Sequence, residues 1–191
     1  MTTLMATHPQ KQDESDLARQ ALHDVEAFAE LYRRNLTRVY RYHMAHVGNA
    51  RDAEDLTSQT FMAALEGIRS FRGSGSFAAW LFGIASKKRL MFFRRSGNQP
   101  EVTLEAALQT PSPEPPTDKA AYHRLQLEAV SRALRHISAD RAEALILTYF
   151  GGLSQAEAGR VLNKSEAAVK MLISRGLQDL RERTSLALEV E

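Results

Sequence analysis

The sequence predicts an all-α protein: two small helical domains joined by a flexible, proline-rich linker, with a helix-turn-helix in the C-terminal domain. Apolar residues recur at three- and four-residue steps in both halves of the chain, as they do along the buried face of a helix. Five of the six prolines fall within residues 96–119, which is typical of a linker. We therefore expect a disordered tail at 1–15, a first domain at 16–95 and a second at 120–191.

Composition excludes several classes of protein. The 191 residues are 43% hydrophobic and 25% charged, as in ordinary globular domains. No cysteine is present, which excludes disulfides, thiolate catalysis and cysteine-type zinc sites. No apolar run approaches the roughly 20 residues of a membrane span, and the N-terminus lacks the apolar segment of a signal peptide. We expect a cytoplasmic protein.

The charge is unevenly distributed. The net charge of +2 divides into +4 over residues 1–95, −3 over 96–120 and +1 over 121–191. A basic N-terminal body, an acidic connector and a near-neutral C-terminal body are predicted. The basic excess favours a polyanionic partner for the first body.

The first domain begins with a helical pattern that runs from Leu17 to Tyr40 and ends at Gly48-Asn49. We expect Asp52 to cap the next helix, with Glu54 and Asp55 at the positive end of its dipole. These carboxylates have two interpretations. They are either a plain acidic first turn or an acidic edge on which a basic partner helix docks.

The stretch from Arg69 to Arg95 is the most distinctive part of the sequence. It contains seven basic residues, six aromatic residues and no acid. Basic side chains attract a phosphate backbone, and aromatic rings stack on unpaired bases. The alternative is a helix with an apolar core stripe and a solvated basic face. A loop over 72–76 followed by a helix over 77–95 is predicted.

The C-terminal domain carries the helix-turn-helix pattern. Ser154 and Glu157 form a capping box, a short turn follows Leu162, and Ser165 can cap a helix over 165–183. In this motif the second helix enters the major groove of DNA. The candidate base-reading residues are Ser165, Glu166, Ala168, Lys170, Met171, Ser174 and Arg175.

Three segments together resemble the conserved blocks of bacterial RNA polymerase sigma factors, and the extracytoplasmic-function (ECF) group fits best. They are D-A-E-D-L-T-S-Q-T-F at 52–61, F-R-G-S-G-S-F-A-A-W-L-F-G-I-A at 71–85 and G-L-S-Q-A-E-A-G-R-V-L-N-K-S-E-A-A-V-K at 152–170. The resemblance covers about residues 20–95 and 120–184. It implies a sigma region 2 domain, a linker and a sigma region 4 domain.

The resemblance also implies roles for individual residues. The 52–61 helix would bind the clamp helices of the largest subunit of core polymerase through Asp52, Glu54, Asp55, Gln59 and Phe61. The 71–77 loop would capture a flipped base of the −10 element, and the helix after it would guide the non-template strand. This −10 set is Arg69, Phe71, Arg72, Gly73, Ser74, Ser76, Phe77, Trp80, Lys87, Lys88, Arg89, Arg94 and Arg95. The 165–175 helix would read the −35 duplex.

The function implied is promoter recognition, −10 melting and transcription initiation at a specific set of genes, expected to be stress-response genes. An anti-sigma partner is expected by resemblance only. The protein would have no catalytic residue, cofactor or metal site of its own. A stand-alone helix-turn-helix regulator and an enzyme are the alternatives. For the latter, His43 and His46 have a spacing that can hold a metal, but no placed carboxylate accompanies them.

Overall fold

The computed structural model describes residues 14–71, 76–96 and 137–188. The N-terminal body consists of α1 (Glu14–Gln20), α2 (Val25–Val47), α3 (Ala50–Gly67), a 3-10 turn (Ile68–Ser70) and α4 (Phe77–Ser96). The C-terminal body consists of α5 (Ala139–Leu145), a π-helical turn (Ile146–Phe150), α6 (Gln155–Leu162) and α7 (Glu166–Leu188). The predicted all-α class is confirmed.

The first helical pattern is divided into α1 and α2, where the apolar spacing predicted one helix. The break lies before Asp24, whose carboxylate accepts a hydrogen bond from the Glu26 amide at 2.9 Å. Asp24 therefore caps a new helix. Periodicity misses this break because apolar residues continue at helical spacing across it.

The end of α2 and the start of α3 lie close together. Gly48 ends α2 in the left-handed conformation, with φ of 71°, and this confirms the predicted stop. The expectation that Asp52 caps α3 is wrong. Asn49 is the cap, because its side-chain oxygen accepts from the Asp52 amide at 2.9 Å.

Helices α2, α3 and α4 pack around the core of the N-terminal body. Leu31, Val39, Leu56, Leu81 and Phe82 are almost fully buried there. Because these residues fix one face of each helix inward, the polar residues of α3 and α4 are presented outward.

The C-terminal body packs α5 and α6 against α7, with Leu145, Ile146, Ala158 and Val169 buried between them. The apolar spacing of 141–150 predicts a helix, which in the structure begins at Ala139 and changes into a π-helical turn over its last five residues. The same spacing predicts another helix around Leu125–Ile137, which lies outside the described residues except for Ile137.

The two bodies are in contact. Helices α2 and α4 of the N-terminal body pack on the π-helical turn and on α6. The linker at 96–119 lies outside the described residues apart from its first position, Ser96, which ends α4. Of the expected tail, 1–13 lie outside them, and Glu14 and Ser15 belong to α1. The domain boundaries stay a prediction. Across the three described ranges, no helix combines the length and apolar character that a bilayer crossing requires.

Candidate nucleic-acid and partner interfaces

Each helix of the predicted helix-turn-helix has a side-chain cap at its N-terminus. The capping box before α6 is confirmed: Ser154 N donates to Glu157 Oε2 at 2.7 Å, and Glu157 N donates to Ser154 Oγ at 3.3 Å. Asn163 turns the chain in the left-handed conformation, with φ of 53°. Ser165 Oγ then accepts from the Ala168 amide at 3.2 Å, so it caps α7 as expected.

One side of α7 is available to a duplex. Val169 and Ile173 face the core, so the opposite side of the helix faces solvent. All predicted −35 residues lie on the accessible part: Ser165, Glu166, Lys170, Met171, Ser174 and Arg175 are exposed, and Ala168 is half-buried. An exposed, capped helix with Lys and Arg near its start is suited to a major groove.

Three aromatic rings pack together at the residues that flank positions 72–75. The ring centroids of Phe71, Phe77 and Trp80 lie 5.6–5.7 Å from one another. Phe71 and Phe77 are buried, at 8% and 1% exposure, whereas Trp80 is half-buried. Of these three residues, Trp80 alone therefore offers a substantial ring face to a base. Arg72, Gly73 and Ser74 lie outside the described residues.

The basic residues of the −10 set do not share one environment. Arg69, Lys87, Arg94 and Arg95 are exposed, and Lys88 is half-buried. Arg89 is 9% exposed, and its Nη2 lies 3.3 Å from Glu143 Oε2 of the C-terminal body. Arg89 is thus engaged inside the protein in this arrangement.

A cleft of about 610 Å³ runs along α4. Trp80, Gly83 and Lys87 line one side of it, and Arg160 and Val161 of α6 line the other. Ser76 also lines the cleft. Burial raises the pKa of Glu157, but interactions with Ser76 and Ser154 and the charge of Arg38 outweigh it, so the pKa of Glu157 lies below its usual value. The C-terminal body therefore covers part of the predicted −10 face.

The predicted polymerase-binding set lies on α3. Glu54, Asp55 and Gln59 are exposed, and Gln59 Nε2 donates to Asp55 Oδ2 at 2.9 Å. Asp52 is half-buried beside its cap. Phe61 is 5% exposed, so it supports the helix from inside rather than lying on its surface.

Apolar side chains continue this acidic face. Met62 is 62% exposed and Leu65 is 49% exposed on the same helix. An apolar patch rimmed by carboxylates is typical of a protein–protein interface. No motif in the sequence singles out Leu65, although its place eleven residues after Glu54, three helical turns, indicates the same face.

His43 and His46, the candidate metal pair, bind different partners. His43 Nε2 lies 3.0 Å from Thr60 Oγ1, and His46 Nε2 lies 3.1 Å from Glu143 Oε2. Within the described ranges, no three His, Asp or Glu side chains gather closely enough to hold a metal ion.

The interactions between the two bodies were also missed. Glu143 and Tyr42 are 101 positions apart, and no spacing rule connects them. The available signal was Glu143 itself, a lone carboxylate within the otherwise apolar run A-E-A-L-I-L.

Two family models match the chain in order. Sigma-70 region 2 matches residues 31–99, and Sigma-70 region 4 matches residues 127–180.

Similar proteins carry the ECF designation. The chain is 35% identical over 158 residues to the ECF RNA polymerase sigma factor BldN of Streptomyces coelicolor, covering 82% of this chain. It is 32% identical over 154 residues to the ECF sigma factor SigE of Mycolicibacterium smegmatis, covering 80% of this chain. The matches span 60% of the length of each of these two relatives.

Two solved structures have a similar fold. CnrH in complex with the cytosolic domain of CnrY matches with a TM-score of 0.64 and 25% identity, covering 94% of this chain and 99% of that one. RpoE of Bartonella quintana in complex with the anti-sigma factor NepR matches with a TM-score of 0.64 and 23% identity, covering 83% of this chain and 96% of that one.

Proposed function

We propose that this chain, which belongs to the ECF group of the sigma-70 family of bacterial RNA polymerase sigma factors, binds core polymerase and directs it to promoters. The observation that carries the proposal is the order of the two family matches, region 2 followed by region 4, each of which presents an exposed candidate surface. Sigma-70 factors are non-enzymatic initiation factors. We propose that this chain likewise has no chemistry of its own and acts in the cytoplasm.

The proposal divides promoter recognition between the two bodies. The exposed side of α7 would read the −35 duplex, with Lys170 and Arg175 as its charged groups. Trp80 and the exposed basic residues of α4 would hold the melted −10 strand. Duplex contacts position the protein, and capture of unstacked bases offsets part of the cost of melting.

The polymerase would dock on the exposed face of α3. Glu54 and Asp55 supply negative charge for a basic clamp helix, and Met62 and Leu65 supply apolar contact area. Phe61 and Phe77, which are buried, would act by holding the helices in place. An anti-sigma partner is part of the proposal, since a sigma factor of similar fold is solved with one.

Two reciprocal substitutions test this division of roles. Asp55→Arg reverses a charge on the α3 face, so we expect core polymerase binding to weaken by about tenfold or more. Arg175→Ala removes one cation from the α7 face, so we expect −35 recognition to weaken by roughly 1–3 kcal/mol. Polymerase binding is measured with purified core enzyme, and −35 recognition with the assembled complex on promoter fragments carrying the intact or a scrambled upstream element.

Each variant is the control for the other, and Glu26→Arg is the control for charge reversal. Glu26 is exposed on α2, outside the proposed docking face, and its reversal should leave polymerase binding unchanged. If Asp55→Arg weakens only −35 recognition and Arg175→Ala weakens only polymerase binding, the assignment of the two faces is inverted.

A further inference from the structure

A carboxylate of the C-terminal body is buried in a polar pocket of the N-terminal body. Glu143, on α5, is 8% exposed. Its Oε1 accepts a hydrogen bond from the Tyr42 hydroxyl at 2.8 Å. Its Oε2 lies 3.1 Å from His46 Nε2 and 3.3 Å from Arg89 Nη2. Residues from α2 and α4 thus surround one side chain that belongs to the other body.

The pocket is built to hold an anion. Arg89 Nη1 lies 3.3 Å from His46 Nδ1, so Arg89 donates there and the proton of neutral His46 lies on Nε2, facing Glu143. Burial raises the pKa of Tyr42 well above its usual value, and the charge of Glu143 raises it more. Tyr42 therefore keeps its hydroxyl proton and can donate it. The Tyr42 hydroxyl therefore donates to one oxygen of Glu143, while His46 Nε2 and the Arg89 guanidinium lie 3.1 Å and 3.3 Å from the other.

The pocket depends on its occupant. Arg89 is 9% exposed, and Glu143 is the one carboxylate that contacts it among the described residues. Removing one member of a buried ion pair leaves an uncompensated charge, which is strongly destabilising. If the bodies separate, solvent replaces Glu143 and hydrates Arg89. Loss of the Glu143 charge therefore destabilises the closed arrangement more than the open one.

A second set of contacts joins the bodies beside this pocket. Arg38 Nε donates to Gly151 O at 2.7 Å, and Arg38 Nη2 donates to Gly152 O at 3.2 Å. Asn35 Oδ1 accepts from Arg38 Nη1 at 2.9 Å and so holds the guanidinium in position. A Cβ on Gly151 would lie 2.9 Å from the Phe82 ring, so only glycine allows this close approach.

The closed arrangement is incompatible with reading both promoter elements at once, a point that rests on the proposed function. The −10 and −35 elements are by name about 25 base pairs apart, or roughly 85 Å along B-form DNA. A compact body of this size is roughly 40 Å across. The bodies must separate before both faces engage DNA, and the cleft along α4 must open.

We propose that Glu143 is a latch that holds the free chain closed, and that the pocket of Tyr42, His46 and Arg89 is its carboxylate receptor. Release of Glu143 from this receptor frees the two DNA-binding faces. The latch restrains the protein until a partner, such as core polymerase, stabilises the open form.

The test measures the distance between the two bodies in the free full chain. Because the chain has no cysteine, one spin label can be attached to each body through a single introduced cysteine. The substitutions are Val25→Cys and Gln178→Cys, both at exposed positions. In this background we expect one narrow distance distribution by pulsed electron spin resonance. Glu143→Gln keeps the shape of the side chain and removes its charge. We expect it to lower the closed-to-open ratio by about tenfold or more, giving longer and broader distances.

The matched control is Asp140→Asn, which removes a charge from the same helix. Asp140 is 60% exposed and pairs with Lys164 of its own body at 3.0 Å, so this variant should keep the closed distribution. The proposal is overturned if the parent is already open, if Glu143→Gln leaves the distances unchanged, or if Asp140→Asn opens the chain equally.

Circular dichroism checks that each variant is folded. If Glu143→Gln loses helical content, Tyr42→Phe decides the question, because it keeps the ring and removes the hydroxyl that donates to Glu143 Oε1. Longer and broader distances in a folded Tyr42→Phe chain support the latch. An unchanged distribution in a folded Tyr42→Phe chain overturns it.

Discussion

His43 illustrates how one residue type in one pattern can be structural rather than a metal ligand. Thr60 donates its hydroxyl proton to Leu56 O at 2.7 Å, so Thr60 Oγ1 accepts from His43 Nε2. The lone pair is then on Nδ1, which has no hydrogen-bond partner in the part of the chain that the structure describes. Burial first, and then electrostatic interactions with His46 and Arg89, lower the pKa of His43 to about 3.

This environment predicts a loss of stability in mild acid. The folded pKa of His43 lies below its value of 6.5 in the unfolded chain, so between these values the unfolded chain binds the extra proton. The free energy of unfolding therefore falls as the pH falls below about 6.5, by up to about 1.4 kcal/mol per pH unit for this group. Urea unfolding followed from pH 7.5 to pH 4.5 measures the slope.

His43→Gln identifies the contribution of this histidine, since the amide can still donate to Thr60. We expect the free energy of unfolding of this variant to fall less steeply with decreasing pH than that of the parent. The difference in slope should correspond to about one fewer proton bound on unfolding. The same exchange at His23, which is exposed, should leave the slope as it is. Equal slopes in the parent and in His43→Gln would contradict the account.

At the scale of single residues, the sequence predicts which residues are exposed on α7 and α3, because helical periodicity assigns the faces of a helix correctly. It does not predict that Arg89 is buried, although Lys87 and Lys88 beside it are not. The burial of Arg89 depends on Glu143, which reaches it only through the contact between the bodies. Phe61 and Phe77 were similarly assigned to binding surfaces, yet each ring is needed to fill the core.

At the scale of elements, local chemistry determines the caps. The capping box before α6 and the cap of α7 were both predicted, because each depends on residues only three positions apart. Asn49 was missed because an acidic residue stood nearby as a competing cap. The π-helical turn over 146–150 was missed because its contacts with α2 come from the other body.

The capping box predicts a local effect on α6. Ser154→Ala removes the oxygen that accepts from Glu157 N, which should cost about 1 kcal/mol. Opening of α6 then becomes about fivefold more frequent. Amide hydrogen exchange over residues 155–162 measures this change. Ser174→Ala, on the exposed side of α7, is the control that should leave exchange in α6 unaltered; unaltered exchange in Ser154→Ala itself would contradict a stabilising box.

At the scale of the whole molecule, the chain combines two bodies that we propose bind DNA with a contact that covers part of one of them. The sequence predicts the two bodies from the composition of the segment between them. It cannot predict their contact, which depends on pairs such as Tyr42 and Glu143 that are far apart in the chain. Polymerase binding and opening of the latch are therefore expected to be coupled, so the free chain should bind DNA weakly.

The most direct test of the account is run-off transcription on genomic fragments with purified bacterial core RNA polymerase and this chain. We predict discrete start sites that require the chain, with more transcript from Glu143→Gln at limiting concentrations of the chain because more of it is open. Comparing the parent with Glu143→Gln distinguishes a chain that is inactive because it is closed from a chain that cannot initiate transcription at all. The absence of any promoter-specific transcript with either chain, both folded, would contradict the assignment as a sigma factor.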